Sequence, residues 1–579
     1  GIKSVAISDG CPALRIFNEF RLDNLRGDLF GGVTAAIIAL PMALAFGVAS
    51  GAGPAAGLYG AVLVGLFASL FGGTPTLISE PTGPMTVVMT AVIASLIAVN
   101  PDNGMAMAFT VVMLAGVFQI LFGAMKLGRY VTMMPYTVIS GFMTGIGVIL
   151  IVLQLGPMLG HATPPGGVLG TLERLPTLIT TLKPFEAMLA LLTLVLIVFF
   201  PTRLRRFLPP QLVALVVGTL ISVYLLSQMD IRRIGEIPTG LPELQLPVFS
   251  AAQWQVMVVD AAVLAVLGSI DALLTSVIAE NLTRKEHSSD KELFGQGVGN
   301  LASGLFGGIP GAGATMGTVV NIQTGGRSAF SGLTRALLLL IVVLWAGPLT
   351  AYIPLAVLAG IAVKVGFDII DWSFLRRAHR VSPKAAWIMY GVIGLTVFVD
   401  LITAVAIGVF IANVLTIDRM VKLQSQSVKA IEHTDDSHEL TRDEQTLLER
   451  AKGKILVFAL GGPLIFGLAK AISRKHAVLA GHEVLILDFT EVPMLGVSSS
   501  LALEQMVLED LEAARPVFIV GAKGEVKTRL ATLGLLEALP EDHVTETRQE
   551  ALEKATALLE GDTPPPGDKN SAGGSRAVA

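Results

Sequence analysis

Charged side chains are scarce in this chain: Asp, Glu, Lys and Arg make up only 15% of its 579 residues, 53% are hydrophobic, and the mean hydropathy is +0.69. That shortage excludes a water-soluble globular protein, which could not bury so much apolar surface. Cysteine is almost missing as well. Cys11 stands alone ahead of the first apolar run, which excludes an intramolecular disulfide, a thiolate metal site and a dithiol redox pair. The absence suits soluble parts that face a reducing cytoplasm. There is no basic excess to recruit nucleic acid, since the formal net charge is -4.

What the chain does have is apolar runs. About fourteen can be traced, at roughly 31–50, 54–73, 83–99, 105–125, 133–155, 185–200, 209–227, 256–280, 292–307, 313–324, 330–347, 352–367, 385–400 and 401–417. They predict an all-α polytopic membrane domain. The first is too long, and too closely followed by others, to be a cleaved signal peptide, and Arg21 and Arg26 before it form a cytoplasmic flank. With the N-terminus inside, the loops expected on that side carry Lys126 and Arg129, then Arg203, Arg205 and Arg206, then Arg284, Lys285 and Lys291, then Arg376, Arg377, Arg380 and Lys384. The positive-inside rule therefore favours an even number of spans, with both termini cytoplasmic.

Two runs, 83–99 and 313–324, are short for a bilayer, and each follows a stretch rich in glycine and proline. Leu70-Phe71-Gly72-Gly73-Thr74-Pro75 and Leu305-Phe306-Gly307-Gly308-Ile309-Pro310 share the pattern L-F-G-G-x-P. Each closes the second segment of a half of about seven segments and opens its third, so an internal 7+7 repeat is expected. An odd number per half makes the repeat an inverted one. Broken helices expose backbone N–H groups, and their positive dipole ends then point toward the middle of the membrane, where two facing ends form an anion site. The candidate runs are Ser79-Glu80-Pro81-Thr82-Gly83-Pro84-Met85-Thr86, with the Thr82 hydroxyl as a donor, and Gly311-Ala312-Gly313-Ala314-Thr315-Met316-Gly317, whose small residues admit a ligand to the backbone. Glycine and proline can also serve helix packing alone.

Asp271 lies within the eighth run, where a carboxylate is expensive. Thr275 is one turn on and Asp260 three turns back, so a helix sets all three near one face. Beside an anion site such a carboxylate requires a neutralising cation. Oxygens of Asp271, Thr275, Thr315 and the backbone near Gly313 suit a hard ion such as sodium, and a proton could serve instead. A structural aspartate bonded to broken-helix backbone is the plainer alternative. Glu80, Lys364, Asp368 and Asp400 are further ionisable candidates, nearer the expected membrane boundaries, where snorkelling or capping explains them equally well.

Beyond Ile417 the composition changes. Asp435, Asp436, Glu439, Arg442, Asp443 and Glu444 read as a charged linker, followed by a soluble α/β pattern. Strands are expected at Ile455–Leu460, Glu483–Phe489 and Val517–Val520, and helices near 464–477, 498–513, 524–537 and 547–560. No P-loop, paired cysteines or nucleophile elbow occurs there, so no catalysis is assigned and nothing points to an enzyme.

The Glu80-Pro81-Thr82-Gly83-Pro84 run, the glycine-rich Gly307 to Gly317 stretch, the carboxylate of the eighth run and the C-terminal pattern together resemble the sulfate permease (SulP) family of anion transporters, whose C-terminal domain is a STAS domain. Within that family, Ala39-Leu40-Pro41-Met42-Ala43-Leu44-Ala45-Phe46-Gly47-Val48 and Gly73 to Met89 are similar to the sodium-dependent bicarbonate branch of cyanobacteria. The resemblance implies core and gate subdomains, an anion held at Thr82, Gly83, Ala314 and Thr315, and sodium held at Asp271, Thr275, Gly313 and Thr315. It further implies sodium-coupled bicarbonate uptake by alternating access, residence in the plasma membrane among its lipids, and a homodimer formed through the STAS domain. Phosphorylation switching is not implied. Where anti-sigma antagonists of the STAS fold carry Asp-Ser-Ser-Gly, this chain reads Gly496-Val497-Ser498-Ser499, with Val497 at the phosphoserine position.

The expected organisation is an N-terminal cytosolic segment 1–28, a transport domain 29–420, a linker 421–452, a STAS domain 453–560 and a disordered tail 561–579. Sulfate or a dicarboxylate, proton-coupled or exchanged, is the nearest alternative cargo. A channel or a scaffold acting through the STAS domain is the alternative of another class.

Overall fold

The computed structural model of the chain describes residues 17–561 apart from 19, 21, 132–133, 238–239, 400, 432–439, 465–471, 475, 478 and 480. Outside the described residues lie Cys11, Arg21, Asp400, most of segment 1–28, the acidic centre of the expected linker, most of the helix expected near 464–477, and all of the expected tail but Gly561. The chain divides into two compact units, Gly1–Ala412 and Asn413–Ala579.

In hydrocarbon every backbone polar group must be satisfied within the chain, so apolar runs of this kind become helices. Leaving single turns aside, the first unit contains α1 (Leu25–Ser50), α2 (Pro54–Phe71), β1 (Ser79–Glu80), α3 (Gly83–Val99), α4 (Gly104–Ala124), α5 (Tyr136–Leu153), α6 (Gly167–Thr180), α7 (Pro184–Val198), α8 (Pro210–Leu220), α9 (Trp254–Thr283), α10 (Ser289–Leu305), β2 (Ala312–Gly313), α11 (Thr315–Gln323), α12 (Ala329–Trp345), α13 (Leu355–Ile369), α14 (Trp372–Val381) and α15 (Pro383–Phe398), and α16 (Leu401–Ser427) begins in it. Each apolar run carries a helix. Among the described residues five helices are long and apolar enough to cross a membrane unaided, namely α1, α2, α4, α9, and α5 continued to Met158. Proline stands in the first turn of α2, α3, α7, α8 and α15, where its missing N–H costs nothing and its fixed φ favours the helix.

The helices form two packed groups. One consists of α1, α2, α3, α4, α9, α10, α11 and α12, and the other of α5, α7, α8, α13 and α15, with α1 and α3 touching both. Small residues permit the close crossings. A Cβ on Gly57 of α2 would lie 1.9 Å from the Ala43 carbonyl oxygen of α1, so Gly57→Ala must push these helices apart. The expected cost is about 1–3 kcal/mol, read as a lowered thermal midpoint in detergent. Gly391→Ala is the control, because a Cβ there meets nothing within 4 Å. Equal midpoints for the two variants would contradict the close crossing.

Two helices were not legible as apolar runs. α6 and α14 mix charges with apolar residues, and they bury only Val168, Thr171 and Leu178 in the first case and Phe374 and Ala378 in the second. α6 and α7 meet at a bend of 114°.

The second unit contains β3 (Val428–Ile431), α17 (Arg442–Ala451), β4 (Ile455–Gly461), β5 (Val484–Glu491), α18 (Val497–Glu512), β6 (Val517–Val520), α19 (Gly524–Thr532), β7 (Val544–Thr545) and α20 (Arg548–Glu560). The sheet order follows the chain, β3-β4-β5-β6-β7, with β3 antiparallel to β4 and the remaining pairs parallel. Alternate residues serve two cores. Leu456, Phe458, Leu485, Leu487, Val517 and Ile519 face one, while Ile455, Val457, Val484, Ile486, Phe518 and Val520 face the other, as expected of a sheet covered on both sides. β3 and α17 lie inside the 421–452 stretch whose composition reads as a linker. The signal for α17 was present, because Thr441 and Glu444 form a capping box. β7, two residues long, is too short to leave a pattern.

Candidate anion and cation site

The two L-F-G-G-x-P motifs end α2 and α10, and each leads into one of the short strands. β1 and β2 pair antiparallel, with Ser79 opposite Gly313 and Glu80 opposite Ala312. Because the strands run in opposite directions, α3 and α11 leave the ladder at opposite ends, and both helix N-termini point back toward it. This is the relation an inverted repeat requires. The first N–H groups of a helix lack intrahelical acceptors and carry the positive end of its dipole.

Side chains hold the non-helical backbone in place. Asn300 brackets Gly311, accepting from its N–H at 2.8 Å and donating to its carbonyl at 3.0 Å, and it also donates to Gln119 Oε1 at 2.7 Å. Gln296 donates to Ser79 Oγ and Glu292 Oε1 at 2.7 and 2.8 Å. Asn321 donates to the Thr76 carbonyl at 2.9 Å, and Thr318 Oγ1 accepts from Ile78 N–H at 2.9 Å. Glu80 is buried, contrary to the boundary position expected from sequence, and its Oε2 lies 2.5 Å from Nη2 of Arg335 on α12. Arg335 Nη1 donates to the Ala61 carbonyl at 3.0 Å. Gly65 makes room for it, since a Cβ there would stand 2.2 Å from Nη1. Sequence reasoning missed Arg335, although an arginine within an apolar run was the available signal.

Around the ladder the expected site residues converge. Thr82 is the N-cap residue of α3, but its side chain does not cap that helix; Oγ1 donates to Asp271 Oδ2 on α9 at 2.8 Å. Thr275 Oγ1 lies 3.0 Å from the main-chain carbonyl of Asp271, one turn back in the same helix, 3.0 Å from the Gly313 carbonyl across on β2, and 3.1 Å from Thr315 Oγ1. A hydroxyl has one proton, so it cannot satisfy two carbonyls fully, and the cluster presents more oxygen lone pairs than protons. A hard cation suits such a donor set. β2 presses closely on α9, where a Cβ on Gly313 would come within 3.2 Å of Thr275 Cβ. Ala314 is buried and donates its N–H to the Ile78 carbonyl at 2.8 Å. Thr315, in the first turn of α11, is exposed, which opens the cluster on that side. Gly83 is buried at the start of α3, where a Cβ would stand 2.3 Å from Ile369 Cδ1 of α13. The second helix group thus closes against the site.

Asp260 does not join this cluster. Eleven residues along α9 amount to about 16 Å, and Asp260 instead lines a cavity of about 750 Å³ with Thr90, Ser95, Thr163, Val256 and Thr396. Lys364 and Asp368 pair with each other one turn apart on α13.

Residues 25–392 match the sulfate permease family and residues 448–551 the STAS domain. Bicarbonate transporter BicA of Synechocystis is 63% identical over 94% of this chain and 97% of its own length, and the BicA of Picosynechococcus is 60% identical over 94% and 96%. A putative sulfate transporter of Bacillus subtilis is 29% identical over 92% of this chain and 98% of its own length. The transmembrane domain of a cyanobacterium bicarbonate transporter BicA superposes with a TM-score of 0.64 at 69% identity, covering 67% of this chain and 100% of that one. The murine Solute Carrier 26 family member A9 anion transporter, in the inward-facing state, shares the fold at 20% identity, with a TM-score of 0.79 over 93% of this chain and 92% of its own.

Proposed function

The chain belongs to the sulfate permease family and is a multi-pass membrane protein, and from that premise we propose that it takes up bicarbonate together with sodium by alternating access. The observation that carries the reading is the contact of Thr82 with the Asp271 carboxylate beside the oxygens of Thr275, Gly313 and Thr315, set against the converging N-termini of α3 and α11. The names of the relatives supply the cargo, bicarbonate for those at 60–63% identity and sulfate for those further away.

The bond from Thr82 to Asp271 suggests how cation and anion are coupled. While the carboxylate is bare, it takes the only hydroxyl proton of Thr82. Sodium bound at Asp271, Thr275, Thr315 and the Gly313 carbonyl competes for that carboxylate and cancels its repulsion. The Thr82 hydroxyl then turns to the anion, which sits at Thr82, Gly83, Ala314 and Thr315 between the helix ends. Each ligand raises the affinity of the other by one and the same factor, and couplings of this kind amount to roughly 1–3 kcal/mol.

Proteoliposome uptake of labelled bicarbonate, sulfate and fumarate, with and without a sodium gradient, tests the reading. Bicarbonate is expected to accumulate only with the gradient. Gradient-independent uptake, or accumulation of sulfate in its place, overturns it. Affinity that rises as pH falls, with no response to sodium, would replace sodium by a proton.

The same reading sets the protein in the bacterial inner membrane, surrounded by lipid, with both termini cytoplasmic and a homodimer formed through the STAS domain. The α/β unit offers a surface for assembly and has no assigned catalysis. Truncation after Arg419 is therefore expected to convert dimer to monomer by light scattering in detergent. A truncated protein that remains fully dimeric refutes assembly through the STAS domain.

A further inference from the structure

The second unit contains a group of side chains that transport does not use. His476, His482 just ahead of β5, and Asp510 near the end of α18 are all buried, and one ligand atom from each lies within 4.8 Å of the others. Nε2 of His476 and Nε2 of His482 lie 3.1 and 2.9 Å from the same oxygen, Asp510 Oδ2. The other nitrogen of the His482 ring, Nδ1, lies 2.7 Å from the Leu479 carbonyl oxygen.

These contacts constrain the protons. A carbonyl oxygen only accepts, so Nδ1 of His482 carries a hydrogen. In a neutral imidazole Nε2 then presents a lone pair, and it presents that lone pair to a carboxylate oxygen that also only accepts. Two acceptors at 2.9 Å require a positive centre between them. Either a further proton sits in this buried contact, on the ring or on the carboxyl group, or a cation occupies the space.

The surroundings match the second alternative. A histidine that binds metal usually donates its remote N–H to a backbone carbonyl or carboxylate, which fixes the tautomer and turns the other nitrogen toward the ion. The Leu479 carbonyl does this for His482. Arg515 Nη1 donates to Asp510 Oδ1 at 3.1 Å and leaves Oδ2 for the ion. In a tetrahedral zinc site, with bonds of about 2.0–2.2 Å, neighbouring ligand atoms lie roughly 3.3 Å apart. The two nitrogens stand 3.1 and 2.9 Å from Oδ2, and the three ligand atoms all lie within 4.8 Å of one another, so side-chain movement alone closes the site.

We propose that His476 Nε2, His482 Nε2 and Asp510 Oδ2 bind a divalent ion of the zinc class, with water in the fourth position. Two imidazoles and one carboxylate suit zinc, cobalt or nickel and do not suit calcium or magnesium, which prefer all-oxygen ligands. The ion pins both histidines to α18. It is independent of the sodium reading, since the residues belong to a different unit.

The test uses the full chain in detergent, free of any affinity tag, stripped with a chelator and titrated with cobalt and with zinc. About one ion per chain is expected, with visible cobalt bands of a four- or five-coordinate site and a thermal midpoint raised by zinc. His482→Ala and Asp510→Asn are each expected to weaken binding at least tenfold, on the order of what even outer-shell losses cost, and to remove the zinc-dependent shift. His476→Gln, at the edge of the site, serves if either variant fails to fold. Less than about 0.1 ion per wild-type chain at micromolar metal overturns the proposal. So does full stoichiometry in every variant, which would mark binding by other histidines.

Discussion

Asp271→Asn is expected to abolish sodium-stimulated uptake, by 100-fold or more on the order of a lost buried charge contact, while leaving expression and the fold largely intact. The amide keeps the size of the carboxylate and an oxygen that can still accept from Thr82. It lacks the charge that draws a cation into a cluster made otherwise of neutral oxygens. The same substitution removes the carboxylate's repulsion of the anion, so sodium-independent anion binding should persist and only its sodium response should vanish. Uptake and binding measured side by side separate these effects. Full sodium-dependent uptake by a well-expressed variant would falsify the cation site.

Arg335→Met is expected to do most damage to the fold itself. It strands Glu80 as an uncompensated charge in a buried position, and breaking a buried pair from one side costs about 3–5 kcal/mol. That is a large part of the stability of most domains. The strand that carries Glu80 is half of the ladder joining the two halves of the membrane unit, so the damage reaches the proposed site. We expect little folded protein in detergent. Glu80→Gln combined with Arg335→Met leaves no stranded charge and should recover much of the loss. A single variant as stable as the wild type, or a double variant no better than the single, contradicts the structural role of the pair.

Much of the candidate site was legible because its parts are local. The four-residue step from Asp271 to Thr275 puts both on one face of any helix; the Asp271 carboxylate meets Thr82, and the Thr275 hydroxyl meets Gly313 and Thr315. The same argument gives Asp260 a shared face but no shared ligand. Facing the same way is a matter of angle, whereas reaching the same ligand is a matter of distance along the axis, and three turns are too far. The run from Glu80 to Pro84 announced a break, since prolines cannot continue a helix backwards, but whether Glu80 lay at a boundary or in the interior depended on a partner more than 250 residues away.

The sequence by itself determined the class of the molecule and the places where its helices break, because composition, apolar runs and proline act over a few residues and need no knowledge of what packs where. It also marked the two halves as related through the L-F-G-G-x-P motif. Only the tertiary structure decided which distant residues touch: Ser79 with Gly313, Thr82 with Asp271, Glu80 with Arg335, and the two histidines with Asp510. Such contacts are selected by how whole helices and sheets fill space and by the need to leave no buried polar group unpaired. No local pattern encodes that sum, so the chemistry of this protein becomes visible only when its breaks are brought together.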